Sequence, residues 1–305
     1  MKVLLTGAAG KLGRATWQAL LEAGHEVRAT DRRPRPDLPS PVDLVDLVDE
    51  MAVYRLVQGC DAIAHAGNIP HMLRGELPQV VYRTNVTINI NVFQAALDLG
   101  VNNIVFASSI QAMSDNRGPR SDRGSSEAKP VGPLPYLPAD GDIPATPGNA
   151  YGLSKAASEQ MLGMYARLDG QGSYTAVRFP WLLSRDSKWF RVMSSQRERN
   201  PRDFGSSNTV GEAFAYLDMT DAAQLMRHAL EKPRPGFRVY FPAAEELAGG
   251  IAVDDAVREY YPGVPIRSPI DELNSLVDIS AITRDIGWRP QAPPAFQQVD
   301  TADGK

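Results

Sequence analysis

Tyr151 and Lys155, in the run Tyr151-Gly152-Leu153-Ser154-Lys155, are four residues apart. On a helix that spacing puts both side chains on one face, where an ammonium beside a phenol would lower its pKa from about 10 toward neutral pH. A phenol tuned in this way can exchange a proton with a carbinol or a carbonyl while another group carries the hydride. The reacting oxygen also needs a partner to orient it. Ser109, just beyond the strand read at 101–107, can supply that hydroxyl. Each residue alone is a common coincidence, but the three together describe acid/base chemistry at a carbon–oxygen bond.

The hydride carrier is expected at the other end of the chain. Residues 3–5 are apolar and read as a buried strand, and residues 14–23, with Trp17, Leu20 and Leu21 at helical spacing, read as the helix it feeds. Between them lie Gly7, Gly10 and Gly13, with Lys11 and Leu12 completing the loop. Gly7 permits a tight turn, Gly10 lets the backbone approach a pyrophosphate, and Gly13 lets the helix pack close to the sheet, while the helix N-terminus aims its N–H groups at phosphates. The glycine spacing is three and three rather than the usual two and three, so the strand, turn and helix context carries the reading. A second strand at 25–30 delivers Asp31, whose carboxylate suits the hydroxyls of an adenosine ribose and repels a 2′-phosphate. NAD is therefore expected and NADP disfavoured. Arg32 and Arg33 are expected to border the same ribose, as solvated charges or stacked on adenine.

The elements between these two motifs alternate. Residues 61–65 read as a buried strand, and the small turn Ala66-Gly67-Asn68 follows at the sheet edge, where open α/β sheets hold their ligands. The next helix, at 79–99, carries Asn85 and Asn89 among apolar positions. An amide facing a sheet is costly unless satisfied, so Asn85 is expected as a structural or cofactor-side bridge. Strands repeatedly followed by helices define an α/β, doubly wound parallel sheet. At 305 residues the chain is long enough to bury a sizeable core, and a net charge of −4 with a pI near 5.7 argues against a nucleic-acid surface. With no signal-peptide pattern and no apolar run of membrane-spanning length, a cytoplasmic location off the membrane is expected. The single cysteine, Cys60, excludes an internal disulfide, and four scattered histidines give no metal-ligand spacing, so no metal is expected.

In this order the motifs resemble those of the extended short-chain dehydrogenase/reductases, the NAD-dependent epimerase/dehydratase family, and in length and motif order the uronate dehydrogenases. Residues 6–13 match the glycine motif, Asp31 the ribose acid, Asp46-Leu47 the adenine contact and residues 64–68 the small-residue turn. Asn85 matches the helix asparagine, Ser109 the catalytic hydroxyl, and Tyr151 with Lys155 the catalytic pair. Arg178-Phe179-Pro180 matches the segment whose proline sits by the nicotinamide amide, and residues 216–221 the later strand-to-helix junction. The resemblance implies a Rossmann fold over 1–180 that carries cofactor and catalytic residues. It also implies a small C-terminal substrate-binding part over 181–305, with 210–242 returning to the sheet. Lys155 would anchor the nicotinamide ribose.

Departures from the family pattern narrow the activity. Ile110-Gln111 stand where dehydratases carry Asp-Glu, so loss of water is not expected, and both are expected along the substrate with Asn68. Met113-Ser114 replace a Tyr-Gly pair, and the Gly-, Pro- and Ser-rich segment 114–133 is either a lid or a surface insertion. Residues 182–204 are few for a nucleotide-sugar site. A smaller carbohydrate, a sugar or sugar acid, would fit if held by Arg185 or Lys188 and stacked on Trp181 or Trp189; the alternative is that the tryptophans are core and the charges solvated. The expected function is NAD-dependent hydride transfer at a secondary alcohol or carbonyl of such a molecule. Epimerisation with transient NAD reduction is the alternative. A non-enzymatic NAD(H) sensor is a further one, disfavoured by the retained tyrosine.

In this family the helices holding Asn85 and Tyr151 commonly pack against their symmetry mates, and here Tyr82, Val92, Met161, Leu162 and Tyr165 are expected on the outward faces of a homodimer. For the cofactor, NAD should be preferred over NADP by at least roughly tenfold in kcat/KM, about 1.4 kcal/mol. Asp31→Ala should narrow that gap mainly by admitting NADP. An unmutated enzyme that prefers NADP would assign the selectivity to Arg32 and Arg33 instead.

Overall fold

In the first strand, β1 (Lys2–Thr6), Val3 and Leu5 pack into one hydrophobic core and Leu4 into another, and all three are fully buried. A strand buried on both faces needs helices on both sides. The computed structural model, which describes residues 1–39, 41–70, 76–113, 134–185 and 210–296, has that arrangement. Six more parallel strands join β1: β2 (Glu26–Asp31), β3 (Asp43–Leu44), β4 (Ala62–His65), β5 (Asn103–Ser109), β6 (Ser173–Phe179) and, after the short separate pair β7 (Trp181–Leu183) and β8 (Tyr216–Asp218), β9 (Gly236–Tyr240). Their order, β3-β2-β1-β4-β5-β6-β9, is the doubly wound parallel sheet that the alternation of elements implies. The strand order reverses between β1 and β4, and that switch opens a crevice at their carboxyl ends.

Helices α1 (Lys11–Glu22) and α5 (Met219–Glu231) cover one face, against Val3, Leu5, Ala62, Ala64 and Val105. Helices α2 (Glu50–Val57), α3 (Pro78–Asp98) and α4 (Ala150–Asp169) cover the other, against Leu4, Ile63, Ile104 and Phe106. The period-two alternation along β4 and β5 thus sorts side chains between two cores. α1 begins at Lys11, not at Arg14 as the apolar spacing suggests, because Gly10 in an extended conformation (φ −69°, ψ 166°) already serves as its N-cap. Three residues expected on the outward faces of α3 and α4 are in fact core: Val92 and Leu162 are fully buried and Tyr165 nearly so. They meet between the two helices and the sheet, and helix phase alone does not separate that face from an exposed one. Ile90, on α3, faces outward.

A third core, with Ile110, Leu137, Phe214, Phe241, Tyr261 and Leu276, joins segment 134–143 to the C-terminal residues. The end of the described chain is tied to the start of α5: the Asp221 carboxylate accepts from the N–H groups of Gln291 (2.9 Å) and Ala292 (3.0 Å). Among the described residues no helix is long and apolar enough to cross a membrane, and no His, Cys, Asp and Glu group is arranged to hold a metal.

Under the carboxyl end of the sheet lies a buried ion pair. Arg178 on β6 meets Glu159 on α4 at 2.8 Å, with both side chains at most 5 % exposed. Ser108 donates to the same carboxylate (2.6 Å), and Arg178 also donates to the Ile143 carbonyl (2.6 Å), so β5, β6, α4 and the loop before α4 are joined through one cluster. Removing one partner of such a pair strands the other charge away from water. Glu159→Leu is therefore expected to lower the unfolding free energy by about 3–5 kcal/mol in urea titrations; a loss below about 1 kcal/mol, the range of an exposed pair, would contradict this role.

Candidate active site

The crevice at the switch point is a cleft of about 750 Å³ that runs from Asp31 at the end of β2, past the glycine loop, to Tyr151 and Pro180. Gly7 has φ +68°, and a Cβ there would stand 2.7 Å from the Ala66 backbone, so no other residue fits the turn. At Gly13 a Cβ would lie 2.1 Å from the Gly7 carbonyl oxygen. That glycine is needed where the helix crosses its own loop, not where it meets the sheet as expected. Gly10 caps α1 with no side-chain bond, so the first N–H groups of the helix, at Lys11, Leu12 and Gly13, have no side-chain cap. All of these residues line the cleft.

At one end of the cleft, Asp31 accepts the Ala9 N–H on Oδ2 (3.0 Å) and the Arg33 N–H on Oδ1 (3.2 Å). Each carboxylate oxygen keeps acceptor capacity for a ribose hydroxyl. Arg32, Arg33, Asp46 and Leu47 border the same end. Asn91 holds the loop carrying Leu47 through its carbonyl oxygens at 47 (3.0 Å) and 48 (3.1 Å), a contact not apparent from the sequence. Ala66 and Gly67 form the floor at the end of β4, and Phe179, Pro180 and Leu182 wall the far end. The shape and donors fit a dinucleotide.

The far end holds the residues that the sequence suggests as acid and base. Asn149 caps α4 by accepting the Gly152 N–H (2.9 Å), and its Nδ2 donates to Gln111 Oε1 (3.1 Å). Gly152 allows the helix to sit directly on the turn after β5, since a Cβ there would lie 2.1 Å from the Gln111 carbonyl oxygen. This seating brings Tyr151 near Ser109, whose hydroxyl favours the ionised phenol. Burial pushes the Tyr151 phenol up to about 12, and the Ser109 hydroxyl pulls it back only in part. The expected depression of the phenol by Lys155 is absent from the protein by itself. Lys155 Nζ sits 5.6 Å from the centre of the Tyr151 ring and gives its hydrogen bonds to Asn68 Oδ1 (2.6 Å) and the Ala107 carbonyl (2.7 Å). Burial draws the Lys155 amine down to about 7, against the pull of the Glu159 carboxylate.

Several residues that the sequence assigns to cofactor or substrate have other employment. Asn85 is fully buried behind the cleft, where its amide spans the Ile69 backbone (2.7 and 3.1 Å) and Ser154 Oγ (3.2 Å); it is a bracket between β4 and α4 rather than a cofactor contact. Ile110 belongs to the third core and Gln111 to the α4 N-terminus, so neither lines the described cleft. Trp181 packs beside Tyr216, while its neighbour Leu182 turns to the cleft, as strand parity requires. Arg185 pairs with Asp218 (2.6 Å) and also binds the Pro293 carbonyl, away from the cleft. Trp189, Lys188 and segment 114–133 lie outside the described residues. Asn68 does face the cleft, on Lys155.

His65, at the end of β4, has no role that the sequence points to. It is fully buried between Phe93 and Phe106, and burial lowers its pKa to about 3 against a bond to Asn89. Below its ordinary pKa, near 6.5, the unfolded chain takes up a proton that the folded chain refuses, so stability falls as pH drops from about 6.5 toward 3. Urea unfolding between about pH 6.5 and 4 should therefore show a steeper loss for the wild type than for His65→Gln, by up to about 1.4 kcal/mol per pH unit; parallel profiles would contradict the buried neutral imidazole.

The model of the NAD dependent epimerase/dehydratase family matches residues 3–241. An NAD-dependent glucose-6-phosphate dehydrogenase of Haloferax volcanii is 36% identical over 176 residues, 53% of this chain and 62% of that protein, so less than two thirds of that relative's length is spanned. A uronate dehydrogenase of Pseudomonas putida is 31% identical over 247 residues, 80% of this chain and 76% of that protein. The UDP-glucose 4-epimerase of Thermus thermophilus, solved in complex with NAD, is 20% identical and shares the fold, with a TM-score of 0.63 over 97% of this chain and 96% of that one. The match spans both the dinucleotide cleft and the helix bearing Tyr151, and this chain, an NAD-dependent enzyme, belongs to the NAD dependent epimerase/dehydratase family.

Proposed function

We propose that this enzyme oxidises a secondary alcohol of a sugar or sugar acid with NAD, or in the reverse direction reduces the matching carbonyl with NADH. The observation that carries the reading is the Tyr151–Ser109 hydroxyl pair at the end of the cleft opposite Asp31. Bound NAD supplies the hydride acceptor. Ser109 donates a hydrogen bond to the substrate oxygen, and Tyr151 takes the carbinol proton as the carbon loses hydride. A phenol near 12 is a poor base at neutral pH, so it needs positive charge nearby when the site is loaded. Lys155 is placed to contribute that charge. Two of its three N–H donors go to Asn68 and Ala107, and the third is the one assigned to the nicotinamide ribose.

The relatives support a carbohydrate substrate, since a uronate dehydrogenase and a glucose-6-phosphate dehydrogenase are among them. Arg185, committed to Asp218, does not support the grip on an acid group that the sequence suggested. The assembly proposed is a homodimer through α3 and α4. In place of the three core residues, the exposed apolar side chains there are Ile90, Leu153, Met164 and Leu168, the last 66% exposed; a two-fold contact would cover both helices at once.

Tyr151→Phe should lower turnover by about 10²–10⁴-fold while NAD binding persists. Unchanged turnover would remove Tyr151 from the chemistry. In a screen of sugars and sugar acids with NAD, net NADH is expected from at least one compound, whereas product without net NADH would make the enzyme an epimerase. Light scattering at micromolar concentration should give the dimer mass, and Leu168→Glu with Met164→Glu the monomer mass; a monomer in the unmutated protein would rule the contact out.

A further inference from the structure

His65 lies between the glycine loop and the catalytic lysine, in a buried chain of polar groups whose hydrogen-bond directions determine one another. The Thr6 hydroxyl accepts the Gly67 N–H (3.0 Å) and meets His65 Nδ1 (2.6 Å), to which it can give its own proton. An imidazole that accepts on Nδ1 and is neutral carries its proton on Nε2. That N–H faces Asn89 Oδ1 (2.8 Å), which fixes the Asn89 amide, and its Nδ2 donates to Ser158 Oγ (2.5 Å), which in turn donates to the Ser154 carbonyl (2.7 Å). Asn89 Oδ1 also accepts from Asn68 Nδ2 (2.7 Å), whose remaining proton goes to the Gly67 carbonyl (2.8 Å). The Asn68 amide is thereby held with Oδ1 toward Lys155 Nζ (2.6 Å).

We propose that His65 is a positioning residue: held as the Nε2–H tautomer by Thr6, it sets the amide of Asn89, through it the amide of Asn68, and so keeps an acceptor on Lys155. Reversing the Asn68 amide would turn its NH₂ group toward the ammonium, and reversing the Asn89 amide would set its NH₂ group against that of Asn68, in each case replacing an attraction with a repulsion between donors. The same chain joins the cofactor loop, through Thr6 and Gly67, to the lysine beside the acid/base tyrosine. It rests on the proposed role of Lys155, and it adds a residue that touches neither cofactor nor substrate.

Two measurements test it. In the NAD-loaded enzyme labelled with ¹⁵N in its histidine rings, long-range proton–nitrogen correlation should show His65 as the Nε2–H tautomer at neutral pH. The Nδ1–H tautomer or an imidazolium would overturn the proposal. His65→Phe keeps the ring between Phe93 and Phe106 but removes both nitrogens, and His65→Gln keeps an N–H donor for Asn89. With the sugar that yields NADH in the screen, the Phe variant should lose about tenfold in kcat, with the NADH dissociation constant changed less than about threefold, and the Gln variant should recover most of the loss. Unaltered kcat in the Phe variant, or equal loss in both, would overturn it. The tautomer measurement needs no substrate and no variant that folds, so it also separates this proposal from the reading of the reaction: Tyr151→Phe with full turnover would sink that reading and leave the tautomer result standing.

Discussion

The contact on which the site depends is the seating of α4 on the turn after β5. Gly152 lies so close to the Gln111 carbonyl that a methyl group there would overlap it, and the Asn149 side chain closes the same junction from two directions. Because Ser109 precedes the turn and Tyr151 lies in the first turn of the helix, this one contact sets the separation of two hydroxyls that stand 42 residues apart in sequence, from 109 to 151. Deeper in the same interface, the Glu159–Arg178 pair fixes the rest of the helix to β6, and Ser108, next to Ser109, donates into it. A site built on a strand end and a helix start, each held by its own buried polar contact, is stiffer than one built on loops alone.

Electrostatics at this junction run in two opposed directions. Burial makes the Tyr151 phenol a weaker acid and the Lys155 ammonium a stronger one, the reverse of what acid/base catalysis at neutral pH requires of the tyrosine. The protein offsets this with acceptors on the lysine, Asn68 Oδ1 and the Ala107 carbonyl, and with the Glu159 carboxylate farther along α4, all of which favour the charged form. The acceptors are therefore as much a part of the acid/base apparatus as the phenol, and the charge they retain on Lys155 is what can act on Tyr151 once the cleft is loaded.

What could be read from the sequence follows from how the residues are arranged along it. Gly7, Gly13 and Asp31 sit in one continuous strand–turn–helix–strand unit, so local spacing was enough to bring them to one cleft. Tyr151 and Lys155 share one helix, and their common face was equally legible. The chain from Thr6 through His65, Asn68 and Asn89 to Lys155 was not, because it crosses β1, β4, α3 and α4 and no local pattern links them. Arg185 looked available because its partner, Asp218, is 33 positions away on another strand. Val92, Leu162 and Tyr165 were placed outward because an apolar face reads the same whether it meets a neighbouring helix or a second subunit. The Asn149 cap, by contrast, was open to reading: an asparagine three residues before the N–H it accepts, at the start of a helix, is a local signal.

The central claim is that the Tyr151 phenol, raised by burial in the protein alone, becomes the base when the cleft is loaded. Ultraviolet difference titration of the phenolate, with the Tyr151→Phe protein subtracted, measures it with and without NAD. The expected Tyr151 midpoint is near 12 without NAD and moves several pH units toward neutrality with NAD bound. A midpoint that NAD leaves where it was would contradict it.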